Sequence, residues 1–528
     1  MKHSRVDATT GRLIVDGEPY LIRGVELHNS TSSSADYLAP VWPRCTAASV
    51  NTVLAAVSWE LVEPEEGTFD FGLVDAMLAG AREHGLRLVL LWFGSWKNGS
   101  SSYTPSWVKL DPDRFPLQLD AAGEPLDNLS PFNDDNRDAD AAAFAAFMAH
   151  LAAVDGAERT VVMVQVENEV GLLGAARSHG GDAWAAWDAP VPSALVAALR
   201  DGGSPHVGAP ADVADPSWGD LVGDDDRKAE LFMAWHYAAY VEHVAAAGSV
   251  HHDVPLFVNA WLDAIVPEEA DPAGIALAGG SAPGVFPSGG PLPHVAVAWR
   301  LAAPSIAFLA PDVYFGDFEV PFKAYAETNP TLFVPEMRAD AHGVSHTFLA
   351  IGGYGAIGVS PFGFDSLREE DTLDLRRTYT QLAALEAEIL AAQPAGRVRG
   401  FRVAEDDEVT LSLGGHDFSV QVDTGSVGYG LLLQLDDGAF IAAGTGFSLR
   451  FPQSVAVLSA EELVIDDARL VPQRRLNGDE TMAGTRIRVV GTPSLMHGFM
   501  LTTGTLSGVV RFSLYRREVE RARRRGAA

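Results

Sequence analysis

The chain has 528 residues, too many for one compact core, so a large domain and a smaller one are expected. Its formal net charge of −32, from 38 Lys and Arg against 70 Asp and Glu, argues against nucleic-acid and anionic-membrane partners. A small neutral ligand such as a sugar fits that charge, and 47% hydrophobic with 20% charged residues is ordinary for a soluble globular protein.

No apolar stretch reaches the roughly 18 residues of a membrane span, and Met1–Asp7 carries no apolar leader pattern. The lone Cys45 cannot form an intrachain disulfide, so a cytoplasmic location is expected. In Trp42-Pro43-Arg44-Cys45-Thr46 it reads as a buried structural thiol rather than a nucleophile.

Residues 13–24 open the pattern as a hairpin turning at Asp16-Gly17. Short apolar runs then recur at 21–27, 52–58, 86–93, 160–166, 255–259, 306–314, 332–335 and 356–361. Each is continuous rather than alternating, as in parallel strands buried on both faces. Stretches at 71–84, 139–154 and 229–247 lie between them and read as amphipathic helices. This alternation predicts an α/β fold, a (β/α)₈ TIM barrel with insertions. Polar and aromatic residues crowd the C-terminal ends of the runs, among them Asn29, Trp59-Glu60, Trp96-Lys97-Asn98, Glu167-Asn168-Glu169, Trp261, Tyr314 and Glu336-Met337-Arg338. That end is the rim on which barrel loops converge. An open doubly wound sheet would also gather function at strand ends, but its Gly-rich phosphate loop is absent.

From about residue 397 the runs become short, with turns at Gly414-Gly415 and Asp436-Asp437-Gly438, an all-β pattern that predicts a sandwich. The helical stretch 374–391, ending at Gln393-Pro394-Ala395-Gly396, marks the boundary. The expected division is 1–394 for the barrel with its hairpin, 395–518 for the β-sandwich and 519–528 for a basic, solvated tail.

Glycoside hydrolysis needs two carboxyl groups flanking one bond, one to donate a proton and one to attack or to activate water. The run at 160–166 drives straight into Glu167-Asn168-Glu169, and the seventh run ends in Pro335-Glu336-Met337-Arg338. Apolar strand neighbours favour a protonated Glu169, whereas Arg338 and Tyr314 are suited to hold Glu336 ionised. That assigns the acid/base role to Glu169 and the nucleophile to Glu336. The plainer alternatives are a structural Glu167/Glu169 pair and an ion pair between Glu336 and Arg338.

Val164-Gln165-Val166-Glu167-Asn168-Glu169-Val170-Gly171 resembles the proton-donor motif of glycoside hydrolase family 35, the β-galactosidases. Gly24-Val25-Glu26-Leu27-His28-Asn29-Ser30, the segment from Trp59 to Asp70, and Trp92-Phe93-Gly94-Ser95-Trp96-Lys97-Asn98-Gly99 resemble its bacterial branch, in the same order. The family's usual Tyr after the proton donor is Val170 here, and Pro335 stands where Thr or Ser is commoner before the nucleophile. The resemblance implies an exo-acting, retaining β-galactosidase without a cofactor, acting on a small carbohydrate, with Asn168 on the sugar 2-OH. Other glycones of the wider clan (glucose, mannose or arabinose) remain open.

Trp59, Trp96, Trp261 and Tyr314 are candidate sugar platforms, although large aromatics equally serve as packing. Lys97, Asn98 and Asn29 are candidate subsite ligands, and Glu60 divides between a hydroxyl ligand and a loop salt bridge. Trp235-His236-Tyr237 reads as helix core, and Asp224-Asp225-Asp226 as an N-cap cluster. His251-His252-Asp253 lacks a third ligand group, so no metal site is expected. The β-domain is expected to brace the barrel or to wall a subsite, and to offer a surface for a homo-oligomer. Two rival classes are a non-hydrolytic barrel lyase or isomerase and a sugar-binding protein without turnover.

Overall fold

A computed structural model of the chain describes residues 4–263, 279–476, 478–490, 494–496, 499–501 and 507–517. The chain forms two compact units, Met1–Ala339 with Ala356–Arg368, and Asp340–Gly355 with Glu369–Ala528. Helix Leu373–Ala392, expected to close the first domain, therefore groups with the second. The basic tail lies outside the described residues.

The first unit is a closed barrel of eight strands. They are β1 (Ile22–Glu26), β2 (Thr52–Ser58), β3 (Arg87–Lys97), β4 (Val161–Asn168), β5 (Leu256–Trp261), β6 (Ile306–Val313), β7 (Val334–Met337) and β8 (Gly358–Pro361). Neighbours pair in parallel, and β8 closes on β1 through Gly358 opposite Ile22. Each apolar run read from the sequence became a strand because it is buried on both faces, between the barrel interior and the helices outside. Strand β3 differs. It extends four residues past its apolar run, and its register shifts so that Trp92 pairs with Val166 while Lys97 pairs with Asn168. The extra residues on β3 form a bulge, which re-aims the side chains that follow. Gly94 permits this crowding, since a Cβ there would lie 2.6 Å from Asp140 Oδ1 and 2.7 Å from Glu167 Oε1.

Helices α1 (Gly72–Glu83), α2 (Asp134–Asp155) and α3 (Asp225–Ser249) fall where the periodicity predicts them. The Asn133 side chain caps α2 by accepting from Asn136 N at 2.8 Å, and Asp224 caps α3 by accepting from Asp226 N at 3.0 Å. The Asp224 cluster is thus a helix cap. The predicted N-terminal hairpin turns at Asp16-Gly17 with φ of 55° and 90° and joins a three-stranded sheet. Its Leu13 and Val15 pack with Ile22, Leu54, Leu91, Phe257, Phe308 and Phe333, closing the barrel at the N-terminal ends of its strands.

In the second unit a six-stranded and a four-stranded antiparallel sheet share a core that includes Phe401, Phe418, Phe440, Phe447 and Phe512. That is the β-sandwich expected from the short-strand pattern. Segment Asp340–Gly355 joins it at a glycine contact, since a Cβ on Gly352 would lie 2.6 Å from the Gly400 backbone nitrogen. Among the described residues no helix is long and apolar enough to cross a membrane.

Candidate active site

The C-terminal strand ends bring Glu26 from β1, Lys97 from β3, Asn168 and Glu169 from β4, Asn259 from β5, Asp312 and Tyr314 from β6, and Glu336 from β7 to the barrel mouth. All but Tyr314 are buried. Register fixes two of the pairings, with Lys97 opposite Asn168 and Asp312 opposite Glu336.

Strand β4 ends in left-handed backbone at Glu167 (φ 61°) and Glu169 (φ 46°), a conformation that costs an L-residue on the order of 1–2 kcal/mol each. The two carboxyls consequently part company. Glu167 accepts from Trp96 N at 2.7 Å and lies against Asp140, which accepts from Trp92 Nε1 at 2.9 Å and Ser95 N at 3.0 Å. Burial first and Asp140 second hold Glu167 well above the usual carboxylate range, and its partners are Trp96 and Asp140. Glu169 N instead donates to Asn259 Oδ1 at 3.0 Å, and Asn259 Nδ2 donates to Asp312 Oδ2 at 2.6 Å. This relay sets the backbone that carries the Glu169 side chain.

Burial, followed by the charge of Glu336, pushes Glu169 from its ordinary 4.5 to about 8. Burial and Glu336 likewise hold Glu26 and Asp312 well above the carboxylate range. For Lys97 burial acts in the opposite direction, but the surrounding Glu336, Glu169, Glu26 and Asp312 outweigh it and raise the ammonium. The Tyr314 hydroxyl donates to Glu336 Oε1, and burial holds that phenol in its protonated, donating form. Arg338, expected beside Glu336, donates through Nη1 to the Tyr314 carbonyl at 3.4 Å. Glu336 therefore receives a phenol donor, whereas Glu169 is kept as an acid at neutral pH.

Several buried atoms here have no hydrogen-bond partner among the described residues: Glu336 Oε2, Glu26 Oε1, Asp312 Oδ1 and both amide atoms of Asn168. Buried polar atoms are normally paired, so their concentration at one strand-end cluster marks a place shaped for a polar ligand.

Glu169, Glu336, Asn168, Lys97 and Tyr314 are thus brought together. Trp59 and Trp96 are not, and both correct the platform reading. Trp59 is fully buried, donates to Glu63 Oε2 at 2.8 Å and meets Trp107 edge-on. Trp96 donates to Leu129 O at 3.2 Å and packs on Tyr237 and Tyr240. Glu60 pairs with Lys109 at 3.4 Å on the surface, which favours its salt-bridge reading. Asn98 is exposed and acts through Lys97, accepting from Nζ at 2.5 Å. Asn29 is half-buried, and its Oδ1 has no hydrogen-bond partner among the described residues. Trp261 ends β5, is mostly buried and donates to Gly279 O at 2.8 Å.

Glu26, Asn259 and Asp312 escaped the reading of the sequence as site residues. Each interrupts or ends a run that is otherwise apolar, and a lone polar residue in such a run was the available signal. Elsewhere, burial pushes Cys45 up to about 12, as suits a structural thiol. His236 packs on Phe132 and Phe232 and is pushed down to about 4, so it belongs to the core.

Residues 41–189 match the family model of glycoside hydrolase family 42, described as beta-galactosidase. The match spans β2 to β4 and includes Glu169. Residues 375–488 match a domain of unknown function, DUF5597. A comparison with curated proteins found no match. Among solved structures, the catalytic domain of beta-amylase from Paenibacillus polymyxa aligns with TM-score 0.46 and 12% identity over 66% of this chain and 94% of that one. Beta-galactosidase from the psychrophilic Marinomonas ef1 aligns with TM-score 0.45 and 12% identity over 70% of this chain and 61% of its own. Beta-galactosidase from Bacillus circulans sp. alkalophilus gives TM-score 0.46 and 13% identity over 70% and 57%. This chain therefore spans less than two thirds of either galactosidase. The matching family is 42 rather than 35, so the finer family-35 resemblance finds no support in these comparisons. The chain is thus a closed (β/α)₈ barrel whose residues 41–189 match a glycosidase family model.

Proposed function

We propose that the chain is a retaining, exo-acting β-galactosidase that removes terminal β-galactose from small oligosaccharides, with Glu169 as acid/base and Glu336 as nucleophile. The observation that carries this reading is the opposed environment of two carboxyls in one buried cluster. Glu169 is raised to about 8 by burial and by Glu336, while Glu336 accepts from Tyr314.

In the first step Glu169 gives its proton to the glycosidic oxygen as Glu336 attacks the anomeric carbon, the C–O bond breaks, and the aglycone leaves as an alcohol. Glu169, now a carboxylate, takes a proton from water, whose oxygen displaces Glu336 and releases the sugar with its configuration retained. Asn168, whose amide atoms lack partners among the described residues, is suited to the sugar 2-OH. The galactose assignment is supported by the family description and the motif resemblance.

The test is hydrolysis of a panel of aryl β-glycosides, galactoside included, with Glu336→Gln alongside. Cleavage of the galactoside, lowered about 10⁴-fold or more in the variant, supports both parts of the proposal. Cleavage of a different glycoside alone keeps the mechanism and removes the substrate. An unimpaired variant removes Glu336 as nucleophile.

A further inference from the structure

Double displacement uses Glu169 and Glu336 and leaves two buried groups of the same cluster without a task. Lys97 reaches the mouth only because of the β3 bulge, a local feature that extends the strand past its apolar run. Its ammonium makes one hydrogen bond among the described residues, to Asn98 Oδ1, and lies 5.2 Å from the Phe93 ring centroid. Two of its three N–H donors are thus unmatched, in a side chain only 6% exposed. Glu26, at the end of β1, is 1% exposed and carries an unpartnered Oε1. Each feels the other's charge. A buried charge and a buried carboxyl left with spare donors and acceptors are the groups a ligand must complete.

We propose that Lys97 and Glu26 form a hydroxyl-reading clamp in the glycone subsite, selecting a neutral pyranose that offers one hydroxyl to the ammonium and another to the carboxyl. This rests on the glycosidase reading. A neutral glycone is selected because its hydroxyls can meet both the spare donors of the ammonium and the unpartnered Glu26 Oε1. The ammonium donates and the Glu26 oxygen accepts, so the pair matches hydroxyls, which do both. Asn98, in left-handed backbone with φ of 53°, accepts from the Lys97 ammonium.

The clamp is tested by kcat/KM for the accepted aryl glycoside and its monodeoxy analogues at every ring position except C2. The unsubstituted enzyme is compared with Lys97→Met, Glu26→Met and Glu26→Gln. Two analogues should be poorer substrates of the unsubstituted enzyme by about 10- to 150-fold each, the range of a hydrogen bond to a charged group. Lys97→Met should lower the parent to the level of one of those analogues and leave that analogue within about threefold. Glu26→Met should do the same for the other, and Glu26→Gln, which keeps an acceptor and a donor, should retain most of the discrimination. Should Lys97→Met fail to fold, the two Glu26 variants carry the same comparison. A uniform loss on parent and analogues overturns the clamp and leaves Lys97 as an electrostatic partner of Glu336. Absence of turnover by the unsubstituted enzyme on any glycoside overturns the glycosidase reading, and the clamp with it.

Discussion

At the floor of the barrel Phe257, Phe308 and Phe333 meet with ring centroids 5.2 to 6.4 Å apart, sealed by Leu13 and Val15 of the N-terminal hairpin. At the mouth, only two to four residues further along the same strands, stand Asn259, Asp312 and Glu336. The floor satisfies every demand of packing: large apolar side chains, each worth roughly 1.5–3 kcal/mol on burial, with no polar atom to match. The mouth violates them with four carboxyls, one ammonium and several unpaired amide and carboxyl atoms. A barrel can tolerate that because the packed floor fixes the strands that carry the strained and desolvated groups above.

Breaking the mouth should abolish chemistry without unfolding the chain. Glu169→Gln removes the proton donor, and turnover of glycosides with poor leaving groups should fall about 10²- to 10⁴-fold. The pH–rate profile sharpens the assignment. Activity needs Glu169 protonated, so it should be present at neutral pH and decline as pH rises through about 8. That alkaline limb should vanish in the variant's residual activity.

Breaking the floor should do the reverse. Phe333→Ala leaves a cavity among Phe257 and Phe308 and should cost about 3–5 kcal/mol, read as a lower denaturation midpoint, with kcat near normal for the folded fraction. A smaller effect separates the two carboxyls of the mouth. Tyr314→Phe removes the donor to Glu336 Oε1 and should lower kcat about 10- to 150-fold, the range for a hydrogen bond to a charged group.

The same contrast explains what could be read from the sequence. The floor and strands were legible because continuous apolar runs have one use in this context, and all eight became barrel strands. Glu169 and Glu336 were legible because each follows such a run. Trp59 and Trp96 misled, since a position after a strand does not say which way the side chain turns. The bulge in β3 sends Trp96 onto Tyr237 and Tyr240 and Lys97 into the mouth, and no local pattern announces a register shift. Glu26 and Asp312 were hidden for the opposite reason, inside apolar runs whose periodicity drew attention away from single polar residues. Helix Leu373–Ala392 is legible in the sequence, while its grouping with the sandwich depends on tertiary contacts that a boundary motif does not encode.

The smallest effect concerns the stability of the mouth itself. Glu169 rises from its ordinary 4.5 to about 8 in the folded chain. A group with a raised folded value favours folding most below the unfolded value, so this contribution is complete below about pH 4.5 and is lost as pH rises through about 8. Above that window the fold must carry an unwelcome negative charge beside Glu336. Glu169→Gln removes the charge and keeps the shape, so its Tm should exceed that of the unsubstituted chain by about 1–4 °C at pH 9, with the gap closing toward pH 5. Thermal melts at the two pH values check this. A variant less stable at pH 9 would mean that Glu169 is a structural anchor of the relay through Asn259 and Asp312, and the division between a stabilising floor and a costly mouth would fail at its most important residue.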